Sequence, residues 1–202
     1  MPHRVKQYPR IAAMAIVALA TLIGSAPMVG TPAMATERPA APEKNPPGDI
    51  PDNQVFVTYT SPLGFSLKVP EGWARTERPD GAGFADKYNA VSVTVASASA
   101  APTAENAAAH LVKVGRAVKI EAIRNVVLRS GPALLIVYSS NSEPNPVTNK
   151  PLRLESHRYL IYRGGKLAIL DLSAPLGADN ADQWKFMSNS FQWRRSAAVG
   201  IL

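Results

Sequence analysis

The chain has no cysteine. Disulfides therefore do not staple this fold, and a lipid-modified N-terminal cysteine is excluded. Iron–sulfur clusters and thiolate zinc sites lack their ligands. Histidine is scarce too, with only His3, His110 and His157. No G-x-S-x-G elbow is present. The glycine-rich GAGF at 81–84 and RGGK at 163–166 do not open a helix after a strand, as a phosphate loop does, and read as turns. Lys and Arg form no dense cluster, so the nucleic-acid footprint is missing. Asp49, Asp52 and Asn53 lack calcium-loop spacing. No cofactor and no metal is expected.

What is present begins with an export signal. Arg4, Lys6 and Arg10 precede the apolar run Ile11–Ile23, which is 13 residues long. A helix-breaking stretch then ends in Ala33-Met34-Ala35, whose small residues suit cleavage after Ala35. The alternative is a retained membrane anchor, for which the run is short. Losing residues 1–35 removes three cations and no acid from a formal charge of +7. The remaining chain is mildly basic, which favours weak attraction to anionic envelope polymers. Residues 36–54 hold five prolines and almost no bulky apolar side chains. They read either as an extended linker or tether with a reach of about 60 Å or as a plain disordered leader.

From 55 to 195 the pattern is that of a strand-rich domain, followed by a loose tail at 196–202. Phe65, Leu67 and Val69 alternate with Ser66 and Lys68; Pro70 ends that strand and Gly72 turns the chain. Gly83–Asp86 is a short strand, and Val91, Val93 and Val95 alternate in the next. Ala104–Lys113 is a helix capped by Thr103, ended by Gly115, with Leu111 and Val114 facing inward. Ile120–Leu128 and Ala133–Ser140 follow as strands; ALLIVY is apolar on both faces and is expected near the sheet centre. Leu152–Tyr162 and Leu167–Ala174 form a hairpin through Gly164-Gly165. A last helix carries Trp184 and Met187 on one face, and FQWRR closes as a short strand. The fold class is α+β, two helices against one antiparallel sheet.

The order of YTSPLGFSLKVPEGW, FADKYNAVSVTVAS, GPALLIVYSS, HRYLIYRGGKLAILDLSAP and ADQWKFMSNSF resembles the PsbP-like superfamily, over about Val57 to Trp193. Bacterial secreted proteins and lipoproteins of that fold are meant; the LpqN-type lipoproteins are a weaker match. The resemblance implies a central antiparallel β-sheet flanked by helices. It also implies a mostly non-catalytic, accessory or partner-binding character. The photosynthetic role of the plant and algal members does not carry over, because the N-terminal signal is of bacterial type.

The residues themselves offer few sites. Glu155 and His157 are two apart on one strand and share a face, so with Asp171 they form the one visible acid–base set for a hydrolase. A cross-strand ion pair or solvated face is the plainer explanation. Trp73, Tyr138, His157, Tyr159 and Trp184 are the candidates for ligand or partner binding, set against ordinary core packing. The expectation is an exported, non-enzymatic binding protein of the bacterial cell envelope. Its partner would be an envelope protein or a small apolar ligand. The alternatives are the hydrolase and a structural surface protein without a discrete pocket.

Overall fold

A computed structural model describes residues 37–44 and 48–194. The segment read as an export signal, its expected cleavage site and the tail at 196–202 lie outside these residues. Among the described residues no helix is long and apolar enough to cross a membrane.

The strand pattern folds into two antiparallel sheets rather than the single one expected. The smaller has the order β1-β2-β10, from β1 (Phe56–Ser61), β2 (Phe65–Pro70) and β10 (Gln192–Trp193). The larger contains β3 (Ala74–Arg78), β4 (Gly81–Asp86), β5 (Asn89–Ser97), β6 (Lys119–Leu128), β7 (Gly131–Asn141), β8 (Arg153–Arg163) and β9 (Lys166–Pro175). Its order is β3-β4-β5-β9-β8-β7-β6. The FQWRR segment could not join the large sheet, because its β10 residues pair with Ser66 and Phe65 of β2.

In β2 the alternation behaves as read: Phe65, Leu67 and Val69 are buried, Ser66 and Lys68 less so. Gly72 takes a φ of 84°, the left-handed value the turn after Pro70 needs. Strand β3 escaped the sequence reading because all five of its residues are exposed, so it has no apolar alternation. It is an edge strand, and Arg75, Glu77 and Arg78 discourage further pairing there. Strand β7 is buried on both faces but lies second from the edge; the centre of the sheet is β9. Double burial arises because each face of β7 meets its own apolar cluster. Leu134 and Ile136 pack with Leu111, while Leu135 joins the main core.

Helix α1 (Ala104–Val114) supplies that Leu111. Thr103 caps it, its hydroxyl accepting from Asn106 N, and Gly115 N–H closes onto Leu111 O. Leu111 is the one fully buried residue of the helix and contributes about 2 kcal/mol. Val114, expected inward beside it, is 59% exposed, because the chain leaves the helix there. Helix α2 (Ala181–Ser190) buries Trp184, Met187 and Ser188. The main core joins it to β2, β5, β8 and β9.

The proline-rich stretch is not a free tether. Ile50 is 3% exposed and belongs to the main core. Asn180, at the N-terminus of α2, holds it: Oδ1 accepts from Ile50 N at 2.7 Å and Nδ2 donates to Gly48 O at 2.9 Å. Upstream, Asn141 Oδ1 accepts from Ala40 N at 2.8 Å, and Asn141 Nδ2 donates to Arg38 O and to Glu37. Ile50 buries its side chain in the core, and the two asparagines satisfy backbone groups that would otherwise need water. Asn180→Ala is expected to cost about 2 kcal/mol. It should also release residues 48–50, seen as fast amide exchange at Ile50 while β9 stays protected. Unchanged protection at Ile50 would show that the segment is held by other contacts.

Candidate functional site

The register of β8 decides the fate of the acid–base set. His157 stands opposite Val137 and Leu172, and Arg158 stands opposite Ile136 and Asp171. Neighbours across a sheet share a face, and successive residues alternate. Glu155 and His157 therefore project toward the main core and α2. Asp171 projects the other way, toward the face that carries α1. The three residues do not converge.

On the α2 side the His157 ring meets Trp184 edge-on, with centroids 4.8 Å apart. Glu155 Oε1 is 3.8 Å from His157 Nε2. Burial, helped by the Arg124 charge, pushes the His157 pKa below its ordinary value. Burial, helped by the Glu121 charge, pushes Glu155 up. Both shifts run against charge, and the edge-on contact with Trp184 places the His157 ring in the packing beneath α2. Trp184 and Tyr159 are 5% and 6% exposed and form part of the main core.

On the α1 side Asp171 is shared by two partners. Arg158 Nε donates to Oδ2 at 2.8 Å, and Tyr138 OH donates to Oδ1 at 3.2 Å. The Arg158 guanidinium also lies 5.5 Å from the centre of the Tyr138 ring. Burial first, then the Asp171 charge, raises the Tyr138 pKa to about 12. Tyr138 thus serves as a hydrogen-bond donor at neutral pH. Trp73 is half-buried against the main core and borders a hollow of about 350 Å³ with Val57, Arg75 and Phe84. The structure brings His157, Tyr159 and Trp184 together inside the protein. It leaves Tyr138 on the opposite face and Trp73 at the corner between sheets.

A different surface is built as a groove. It has a volume of about 620 Å³ and runs between β2 and α2, with Arg129 of the β6–β7 turn at its side. Its shape follows from burial. With Trp184, Met187 and Ser188 inward, α2 turns Asp182, Lys185, Phe186 and Asn189 outward along one stripe. With Phe65 and Val69 inward, β2 offers Ser66 and Lys68. Lys68, Arg129 and Lys185 thus reach the groove from three separate elements against one acid, Asp182. Among the described residues none of these four is in an ion pair. Phe186 is 47% exposed and meets Phe56 edge-on at 5.0 Å.

The outward position of Lys68 was legible from alternation in β2. Nothing local announced that α2 and the Arg129 turn would settle beside it, since those meetings join residues more than 50 positions apart.

No family model matches the chain, and no curated protein matches it. Solved structures similar to it include PsbP from the cyanobacterium Synechocystis sp. PCC 6803. That likeness has 12% identity and a TM-score of 0.49, over 72% of this chain and 98% of that one. The chain has an α+β architecture of antiparallel sheets and two helices. The Saccharomyces cerevisiae Ran-binding protein Mog1p is similar at 9% identity and a TM-score of 0.48, over 70% of this chain and 96% of that one. A protein from Bacteroides thetaiotaomicron VPI-5482 is similar at 12% identity and a TM-score of 0.46, over 69% of this chain. The chain spans about half the length of that last structure, 48%. These likenesses concern the fold, and the reading of the groove rests on its residues.

Proposed function

We propose that the chain is an exported, non-enzymatic binding protein of the bacterial cell envelope. Its groove beside α2 holds an acidic segment of an envelope protein. The observation that carries this reading is the convergence of Lys68, Arg129 and Lys185 on one concave surface, with no ion-pair partner among the described residues. Unpaired cations at a groove steer acidic partners and set their orientation. Phe186 and Phe56 add an apolar contact at the same edge, the combination a peptide with mixed acidic and apolar side chains fits. A small apolar ligand fits less well, because Tyr159 and Trp184 are committed to the core. Export rests on the charged and apolar pattern of residues 1–35, and the non-enzymatic reading is supported by the opposed faces of His157 and Asp171.

The test is fluorescence anisotropy of a labelled peptide of alternating glutamate and leucine. Its affinity should fall about tenfold or more in the Lys68→Glu, Arg129→Glu, Lys185→Glu variant. It should also weaken as salt rises, because exposed charges are screened within about 10 Å at moderate ionic strength. Equal binding by the triple variant and the parent would discard the groove as the site.

A further inference from the structure

We infer a second binding site, for the phosphate group of a small or lipid-borne ligand, where β10 meets the β8–β9 hairpin. The site is a pocket of about 230 Å³ lined by Gly64, Arg163, Gly164, Lys166, Trp193 and Arg194.

Three observations converge there. Arg163 and Lys166 are direct cross-strand partners at the mouth of the hairpin. Like charges held opposite each other repel, a cost that a bound anion offsets. Gly164 and Gly165 take φ values of 55° and 80°, a tight two-residue turn that holds the two strand ends in that register. The third cation, Arg194, arrives from the other sheet, fixed by its N–H donating to Gly64 O at 2.9 Å. Among the described residues no acid lines the pocket and none of the three cations is in an ion pair.

The third observation is the indole of Trp193. Its ring packs edge-on against Phe191 at 5.4 Å, and β10 pairing with Phe65 fixes its backbone. Its Nε1 is buried and has no hydrogen-bond acceptor among the described residues. A buried donor without a partner is uncommon and costly. An oxyanion entering between the flexible side chains of Arg163, Lys166 and Arg194 supplies that acceptor. Two guanidiniums and an ammonium then match the charge and the planar donor geometry that phosphate oxygens accept. The site is separate from the α2 groove, which shares no lining residue with it.

The experiment follows the indole N–H resonances of the full-length protein in proton–nitrogen correlation spectra. Inorganic phosphate should shift the Trp193 signal saturably and leave Trp73 and Trp184 in place, while chloride at matched ionic strength should not. Arg163→Ala with Lys166→Ala, both exposed positions, should weaken the phosphate affinity about tenfold or more with the far-ultraviolet spectrum unchanged. Trp193→Phe keeps the cations and the ring, and should weaken binding several-fold by phosphorus line broadening. Sedimentation with phosphatidylglycerol vesicles against phosphatidylcholine vesicles identifies the source. Selective pelleting assigns a lipid headgroup, and its absence with an intact phosphate shift assigns a soluble ligand; either upholds the site. An unmoved Trp193 signal, an equal response to chloride, or undiminished binding by the double variant overturns it.

Discussion

Replacing Phe191 by alanine is expected to lower stability by about 4 kcal/mol, the range for removing a fully buried aromatic ring. Phe191 is 0% exposed. Its ring stacks on Phe65 at 5.7 Å and takes the edge of Trp193 at 5.4 Å. It also occupies the position that ends α2, where its N–H donates to Ser188 O, and β10 begins at the next residue. One side chain therefore ties the last helix to the small sheet. Truncation leaves a cavity at that junction, and the surrounding strands, tied by backbone bonds, collapse only partly. Thermal melts should show a midpoint lower by roughly 10 °C. Phe191→Leu should recover more than half of the loss. A loss below about 1 kcal/mol for the alanine variant would mean that the junction closes over the gap, contrary to the packing described.

The second large effect is expected at Asp171. Its carboxylate and the Arg158 guanidinium are 19% and 17% exposed, so the pair is largely out of water. Asp171→Ala leaves Arg158 buried without its counter-ion and Tyr138 without its acceptor, at a cost of about 3 kcal/mol. Replacing both partners, Arg158→Met with Asp171→Leu, should restore most of that stability, because the desolvation penalty of both charges disappears with them. A double-mutant cycle in urea measures the difference. A single-variant cost near 0.5 kcal/mol, about that of a surface pair, would show that water screens this face of the sheet. The same variant separates the two faces. The His157 titration, followed by its ring protons, should not move, because His157 stands on the opposite side of β8 from Arg158 and Asp171.

That separation of faces follows from the Gly164-Gly165 hairpin, whose register has to be carried along both strands before it separates Asp171 from His157. From alternation alone, Glu155 and His157 share a face, and this holds. Whether Asp171 joins them depends on the register between β8 and β9. The Gly164-Gly165 turn sets that register, and it pairs Asp171 with Arg158 instead of His157. Shifting the pairing by one residue would have reversed the outcome. The aromatic candidates illustrate a second limit. Trp184 and Tyr159 look alike as recognition or core residues in one dimension. Burial distinguishes them, and burial is a property of the assembled layers.

The linker reading failed for a related reason. Residues 36–54 cannot form a core of their own, and their composition correctly implies that. They can still lend Ile50 to a core built elsewhere and dock through Asn141 and Asn180. Those partners lie 101 and 130 residues away, so no local pattern reports them.

The sequence by itself determined the alternating strands β2, β5, β8 and β9, the capped helix α1, the inward Trp184 and Met187 of α2, and the glycine hairpin. Each depends on periodicity, caps or turn chemistry within a few residues. Only the tertiary structure decided the split into two sheets, the exposed edge β3, the docking of the proline-rich stretch and the two cationic surfaces. Each of these requires elements far apart in the chain to share a face or an edge. That geometry follows from long-range register and packing, which no short window of sequence contains.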